Sequence, residues 1–288
     1  MFARPARHRP SGQRAGSGLG AGRPSIAAMS EVVRYEVADA VATITINRPE
    51  AYNSLDYEAY EQLSARFRDA AADDAVRAVV FTGTGRGFCT GDDVRKLLGA
   101  GANELARRLA TGEIELPGSA MRRCDKPIVG AVNGAAVGYG MELSLLCDIR
   151  YAAEEARFSE MFVRRAIVAG ADSFEILPQL VGAAHAAEML MSGDLIDAAH
   201  AERIGLVSRV FPQDQLLPAA TDLARHLAQN PPLAVQAAKR ALQMARSGQR
   251  AELRDFVRTR GNELLRTEDH QESVSAFLER RDPSFHGR

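Results

Sequence analysis

The stretch from Val129 to Asp148 combines a glycine-rich turn with one acidic residue in apolar surroundings. It reads VGAVNGAAVGYGMELSLLCD, so a short apolar run is followed by small residues and then by a second apolar run that carries Glu142. A strand, a glycine turn and a helix start, in that order, direct backbone N–H groups toward an anion. Burying an unpaired carboxylate in an apolar helix costs free energy, so its presence there needs a structural or functional reason. The stretch therefore predicts an oxyanion-binding site beside a general acid or base.

A second glycine-rich segment, Thr82 to Leu97, has the same order of strand, turn and helix start. It reads TGTGRGFCTGDDVRKL, and its glycines let the backbone bend and approach a ligand closely. Asp92 and Asp93 suit a helix N-terminus, where the helix dipole favours negative charge. Taken alone, the segment is better explained as an ordinary strand–helix turn with capping residues. Two such loops in one chain, however, predict two backbone N–H donors that converge on one oxygen.

The overall composition is that of an ordinary globular protein. The 288 residues are 46% hydrophobic and 25% charged, and the net charge of −1 creates no overall field that favours nucleic acid or a membrane surface. No apolar run reaches the roughly 20 residues that span a bilayer. Cys89, Cys124 and Cys147 are odd in number and lack metal-ligand spacing. We therefore expect reduced thiols in a cytoplasmic protein without a metal site.

Residues 1–28 differ from the rest of the chain. They hold five arginines and no acidic residue, together with many Gly, Pro and Ser. Such a segment cannot bury enough apolar surface to order itself, so we expect a disordered basic tail. Two other interpretations stay open: a mitochondrial transit peptide, and an upstream translation artefact with Met29 as the natural start.

From Glu31 onward, the pattern predicts an α/β fold followed by a helical region. The predicted strands are 32–37, 41–46, 76–82, 128–132 and 149–152. The predicted helices are a segment from the N-cap Asp56 to about Ala72, a helix start at 94–98, 103–123 with a break at Pro117, 141–147, 173–181, 183–191 and three longer runs after Pro212. The alternation of strands and helices in the first two thirds favours α/β, and the last third is expected to be helical.

Three segments together closely resemble the crotonase (enoyl-CoA hydratase/isomerase) superfamily. They read GRGFCTGDD, KPIVGAVNGAAVGYGMELSLLCDIRYA and ESVSAFLERRDPSF. The segment VATITINRPEAYNSLD is similar to the opening hairpin and first helix of that family. The resemblance therefore runs in order from about Glu31 to Arg288.

The resemblance implies an architecture and an assembly. Residues 29–212 would form a crotonase-like spiral of ββα units that binds acyl-CoA, and residues 213–288 would form a helical C-terminal region that mediates trimerisation. An acyl-CoA thioester would be the substrate, and no separate cofactor is expected because coenzyme A is part of that substrate. A homotrimer, or a hexamer of two trimers, is the implied assembly, with no nucleic acid or membrane partner.

The resemblance also implies roles for individual residues. The two oxyanion donors would be the backbone N–H groups of Asp92 and Tyr139, and Glu142 falls where many hydratases of the family keep a catalytic glutamate. The alternative for Glu142 is a helix-start carboxylate satisfied by the dipole and by neighbouring N–H groups. The implied contacts with coenzyme A are Cys89, Thr90, Gly91 and Gly138 along the loops, and the basic side chains of Arg48 and Arg281 at its phosphates. For each arginine, a solvated charged face is the alternative.

One acid of the family's hydratases is missing from this chain. Their second glutamate lies four residues after the aromatic residue that Phe158 matches, and that position is Phe162 here. The acid of related isomerases matches Gly170, so it is absent as well. Asp172 is the nearest remaining acid, either at the pocket wall or as the N-cap of the following helix, and Glu160 is a further candidate.

These features predict an enoyl-CoA hydratase-like enzyme that stabilises a thioester enolate and uses Glu142 as general acid and base. A double-bond isomerase is the alternative within the enzyme class, because one carboxylate can move a proton between two carbons. A non-catalytic acyl-CoA-binding protein is the alternative outside that class. Nucleic-acid binding through the basic tail finds no match in the rest of the chain.

Overall fold

Two β-sheets form the centre of the computed structural model, which describes residues 31–98 and 102–288. The predicted tail, residues 1–28, lies outside the described residues. The strands are β1 (Val33–Ala38), β2 (Val41–Ile46), β3 (Ala78–Gly83), β4 (Gly87–Cys89), β5 (Ile128–Val132), β6 (Ala135–Val137), β7 (Ile149–Ala153), β8 (Arg157–Ser159), β9 (Ile196–Asp197) and β10 (Arg209–Phe211). The helices are α1 (Tyr57–Ala72), α2 (Ala102–Ala110), α3 (Pro117–Arg123), α4 (Tyr139–Leu145), α5 (Ala171–Ser192), α6 (Ala198–Arg203), α7 (Gln213–Ala228), α8 (Pro232–Arg246), α9 (Arg250–Leu264) and α10 (Glu268–Glu279).

The chain alternates between the two sheets. The larger sheet has the order β1-β2-β3-β5-β7-β10, in which only β1 and β2 pair antiparallel, and the smaller sheet has the order β4-β6-β8-β9. From β3 to β8, each odd-numbered strand joins the large sheet and each even-numbered strand joins the small one. Each of these strand pairs is followed by one or two helices. This is the predicted spiral of ββα units, and it is confirmed.

Helices cover both faces of the large sheet. Successive strand residues point to opposite faces, so Val79 and Phe81 share an apolar cluster with α1, whereas Ala78 and Val80 share another with α7. The predicted N-cap of α1 is confirmed, because the carboxylate of Asp56 accepts a hydrogen bond from the backbone N–H of Ala59 at 3.0 Å. Because α7 packs on the sheet, the first helix of the predicted C-terminal region belongs to the core.

Several element boundaries differ from the predictions. Pro117 begins α3 instead of breaking a helix, because its fixed φ and missing N–H suit the first helical position. The helix predicted at 141–147 begins earlier, at Tyr139, and the strand predicted at 76–82 is β3, which begins at Ala78. Residues 94–98 form a single π-helical turn. Strands β4, β6, β8, β9 and β10 were not predicted, because two or three residues are too few to show a periodicity.

The two helices predicted at 173–181 and 183–191 form one element, α5, with a break at Gly182, whose φ is +80°. The last three helices expose several large apolar side chains, among them Leu242, Val257 and Phe277. Trimerisation through this region stays a prediction. In the part of the chain that the structure describes, no helix is both long enough and apolar enough to cross a bilayer.

Candidate active site

The two glycine-rich segments pack backbone against backbone. Gly91 has a φ of +84°, and a Cβ atom there would lie 2.9 Å from the carbonyl oxygen of Val137 and 3.1 Å from the backbone nitrogen of Tyr139. A Cβ atom at Gly140 would overlap the carbonyl oxygen of Cys89. Glycine is therefore required at both contact points, and the contact brings residue 92 close to the start of α4.

Two backbone N–H groups stay free at this contact. Leu55 donates to the carbonyl oxygen of Gly91 and accepts from the N–H of Asp93, both at 2.8 Å. Because amides alternate in direction along an extended backbone, the N–H of Asp92 points away from Leu55. The N–H of Tyr139 is the first of α4 and has no partner within that helix. Within residues 31–98 and 102–288, neither amide donates a hydrogen bond.

A cavity of about 80 Å³ lies where the two segments meet. Its lining residues are Thr90, Gly91, Asp92, Val94, Val137, Gly138, Tyr139, Met161, Phe162, Arg165 and Ile167. The structure thus brings together five predicted site residues, from both loops. Phe162 stands at the position that matches the second glutamate of the family's hydratases, and its ring contributes an apolar wall to the cavity.

Two buried asparagines hold the first loop in place. Asn133 accepts from the backbone N–H of Gly83 at 3.1 Å and donates to the carbonyl oxygen of Gly85 at 2.8 Å. Asn53 donates to the carbonyl oxygens of Thr84 at 2.9 Å and Gly87 at 2.6 Å. Side-chain amides that replace water at buried backbone groups fix the path of a loop without regular structure. Neither role was predicted, because Asn133 beside Gly134 also fits an ordinary turn and Asn53, between Tyr52 and Ser54, belongs to no recognisable motif.

Glu142 lies one helical turn after Tyr139, on the same face of α4. Side chains on a helix lean toward its N-terminus, so this carboxylate leans toward the free amide of Tyr139. The side chain is buried, and the carboxylate accepts a hydrogen bond from the backbone N–H of Gly170 at 3.2 Å. Burial raises the pKa of Glu142, the Gly170 N–H and Arg122 lower it, and the nearby Asp92 carboxylate raises it. A carboxyl whose pKa is raised toward neutrality is suited to exchanging protons.

Gly170 makes room for Glu142. A Cβ atom at position 170 would overlap both carboxylate oxygens of Glu142 and would lie 2.6 Å from its Cδ. The residue is the N-cap of α5, with φ −67° and ψ 163°, which any amino acid adopts without strain. The absence of a side chain at the position that matches the isomerase acid is therefore what allows Glu142 its present place.

Glu142 and the two other candidate acids all lie outside the lining of this cavity. Glu160 is fully buried, accepts from the hydroxyl of Ser173 at 3.1 Å, and burial raises its pKa to about 8. Asp172 is buried in the first turn of α5 and forms an ion pair with Arg122. The N-cap of that helix is Gly170, so the alternative of an N-cap role for Asp172 is wrong.

Three predicted contacts with coenzyme A lie elsewhere. Arg48 is buried, and its guanidinium is paired with Asp56 at 3.0 Å and Asp93 at 3.4 Å, so it supports the first loop from within the protein. Arg281 follows α10 and is paired with nearby glutamates of that helix. Cys89 is fully buried, and burial raises the pKa of its thiol to about 12, so the thiol is neutral. This environment does not favour a nucleophilic thiolate.

Comparison with known proteins gives a consistent result. The model of the enoyl-CoA hydratase/isomerase family matches residues 36–288. The 2,3-dehydroadipyl-CoA hydratase of Escherichia coli K12 is 38% identical over 253 residues, which cover 86% of this chain and 96% of that protein. The 1,2-epoxyphenylacetyl-CoA isomerase of the same organism is 34% identical over 274 residues, covering 90% and 100%. The crystal structure of an enoyl-CoA hydratase from Bacillus anthracis superposes with a TM-score of 0.82 at 30% identity, covering 89% of this chain and 100% of that one.

The buried carboxyl of Glu160 predicts a pH dependence of stability. The folded protein keeps the Glu160 proton up to about pH 8, whereas an unfolded chain loses it above about pH 4.3. Between these values the folded state binds more protons, so the free energy of unfolding falls as the pH rises, by at most about 1.4 kcal/mol per pH unit from this group. Urea unfolding of the wild type and of Glu160→Gln at pH 5, 6.5 and 8 measures the effect. The wild type should lose stability relative to the variant across this range, and a constant difference would contradict the assignment.

Proposed function

This chain belongs to the enoyl-CoA hydratase/isomerase family, and on that premise we propose that it hydrates the double bond of a 2-enoyl-CoA thioester. The observation that carries the proposal is the pair of free backbone amides on Asp92 and Tyr139, two residues that line one cavity, with the buried Glu142 one helical turn after Tyr139. Fixed N–H donors at the position of a developing negative charge are a principal source of rate enhancement in enolate chemistry.

The proposed reaction uses one carboxylate twice. The thioester oxygen accepts hydrogen bonds from the two amides. A water molecule adds to C3 while the carboxylate of Glu142 takes one of its protons, and the electron pair of the C2–C3 double bond moves into the enolate. Glu142 then delivers the proton to C2, and the carbonyl re-forms. The raised pKa of Glu142 supports both steps, because the group must accept a proton and release it again near neutral pH.

A double-bond isomerase is the second candidate, and Phe162 is the observation that favours it. An apolar ring lines the cavity at the position where the family's hydratases keep a second acid. An isomerase needs no second acid: Glu142 takes a proton from C2 of a 3-enoyl thioester, the amides hold the enolate, and Glu142 returns the proton to C4. This route needs no water, so the apolar wall is compatible with it.

Glu142→Gln is the direct test of the proton-transfer role. We expect turnover to fall by about a factor of 10² to 10⁴, which is the usual contribution of a general acid or base, while binding of the thioester is retained because the amides are untouched. The assay follows the conjugated absorbance of a trans-2-enoyl-CoA, which disappears on hydration, and of a trans-3-enoyl-CoA, which gains absorbance on isomerisation. Glu188→Gln, which removes an exposed carboxylate on α5, is the control.

The outcomes of this assay separate the candidates. Undiminished turnover in Glu142→Gln would show that another group moves the proton. A wild type that converts only the 3-enoyl thioester would be an isomerase, and one that binds both thioesters without converting either would be a binding protein.

Gly170→Ala tests whether the position of the Glu142 carboxylate matters. The added methyl group overlaps the carboxylate, which is the end of a flexible side chain, so the carboxylate moves while the fold is kept. A displacement of this size is expected to lower kcat by about a hundredfold. Gly261→Ala is the matched control, because a Cβ atom there meets nothing within 4 Å and the residue lies inside α9. Equal kcat values for the two variants would contradict the placement of Glu142 at the reacting carbons.

A further inference from the structure

Two tyrosine rings connect the segments that carry the amide donors. Tyr60 of α1 and Tyr139 of α4 stack with their ring centroids 5.7 Å apart and their planes 18° from parallel. Both side chains are buried, at 2% and 8% exposure. Offset stacking of buried rings restrains their relative position, because neither can slide without losing contact.

The hydroxyl groups of these rings extend the connection. The Tyr60 hydroxyl donates to Oδ1 of Asp92 at 2.6 Å, and the Tyr139 hydroxyl accepts from the backbone N–H of Gly118 in α3 at 3.0 Å. The first bond ties the ring stack to Asp92, and the second fixes the far end of the stack to α3. Asp92 and Tyr139 are also the two residues whose amides are free, so a continuous chain of contacts runs from one donor residue to the other.

We propose that the stacked pair of Tyr60 and Tyr139, linked to Asp92 by the Tyr60 hydroxyl, is a positioning device that sets the distance and direction between the two amide donors. This inference rests on the proposed function, because it assigns the pair to the same enolate-binding site. Tyr60 touches neither the substrate nor the reacting atoms in this account and acts through Asp92.

The glycines around the donors explain why such a device is needed. Gly91 precedes one donor residue, while Gly138 and Gly140 flank the other, and glycine restricts the backbone torsions least of all residues. A Cβ atom at Gly138 would meet nothing within 4 Å, so no side-chain packing restrains this point, where the Gly138 N–H donates to the carbonyl oxygen of Ser159 at 2.9 Å. Stabilising an enolate requires donors that are already in place before the charge develops. The side chains of Asp92 and Tyr139 add a packing restraint that glycine, without a side chain, does not supply.

The Tyr60 hydroxyl has a second effect on the same site. Burial raises the pKa of Asp92, and the hydrogen bond from Tyr60 lowers it. A carboxylate beside a forming enolate repels it. The Tyr60 hydroxyl donates a hydrogen bond to one oxygen of the Asp92 carboxylate and holds that oxygen toward α1. This hydrogen bond partly neutralises the negative charge of the carboxylate and so reduces the repulsion.

The experiment compares Tyr60→Phe, Tyr139→Phe and the double variant with the wild type. Each change keeps a stacking ring and removes one hydroxyl. Tyr35→Phe is the matched control, because the Tyr35 hydroxyl is buried in β1 and has no hydrogen-bond partner among the described residues.

The kinetic readout is kcat and KM on an enoyl-CoA substrate. The spectroscopic readout is the red shift of bound trans-3-phenylpropenoyl-CoA, whose absorbance moves to longer wavelength when its carbonyl is polarised, recorded in the Glu142→Gln background so that it is not consumed.

We expect Tyr60→Phe and Tyr139→Phe each to lower kcat about tenfold with KM within about twofold, and to reduce the red shift. The double variant should lose less than the product of the single losses, because both hydroxyls serve one connection. A merely structural role would lower the melting temperature without changing the red shift of the folded protein. If Tyr60→Phe does not fold, Tyr139→Phe carries the test, because it removes the hydroxyl at the other end of the connection and leaves the Asp92 carboxylate in place.

Two results would overturn this inference. Tyrosine variants that match Tyr35→Phe in kcat and red shift, beside a wild type that turns over the substrate and a Glu142→Gln protein that shifts the spectrum, would overturn the positioning role alone. A wild type without turnover, together with a Glu142→Gln protein that binds the thioester without shifting its spectrum, would overturn the proposed function and the positioning role together.

Discussion

The whole site depends on the direct contact between the backbones of two glycine-rich segments. β4 and β6 pair in parallel, with Gly87 beside Ala135 and Cys89 beside Ala136, so both chains leave the small sheet at the same edge. The pairing of β4 and β6 ends at Cys89 and Ala136, and beyond it the segments can approach closely because Gly91 and Gly140 offer no side chains. A larger residue at either position would separate the two free amides. The alternation of strands between the sheets therefore has a chemical consequence, because it delivers two unpaired donors to one cavity.

The acidic residues near this cavity differ in function because their partners differ. Glu142, Glu160 and Asp172 all lie near the N-terminal turn of α5, where free N–H groups and the dipole stabilise negative charge. Asp172 is paired with Arg122, and Glu160 is fully buried and bonded to Ser173. Only Glu142 is bonded to a backbone amide alone, beside the donor of Tyr139. The environment, more than the residue type, thus distinguishes Glu142 from the two other candidate acids.

Local sequence patterns predicted the parts of the site that lie close together in the chain. The glycine spacing identified both loops, and the capping residue Asp56 identified the start of α1. Contacts between distant segments could not be predicted in this way. The ion pairs of Arg48 and the stack of Tyr60 on Tyr139 depend on how distant segments pack, and local periodicity in the sequence does not predict that packing. The space that Gly170 leaves for the Glu142 carboxylate could not be predicted either, because the absence of a side chain produces no sequence pattern.

A crystal structure with a saturated acyl-CoA thioester, which the proposed chemistry cannot consume, tests the central claim most directly. The account predicts a thioester oxygen within about 3.1 Å of the backbone nitrogens of both Asp92 and Tyr139, with the Glu142 carboxylate facing C2. A thioester oxygen that contacts neither amide, or a thioester bound away from these two loops, would contradict it.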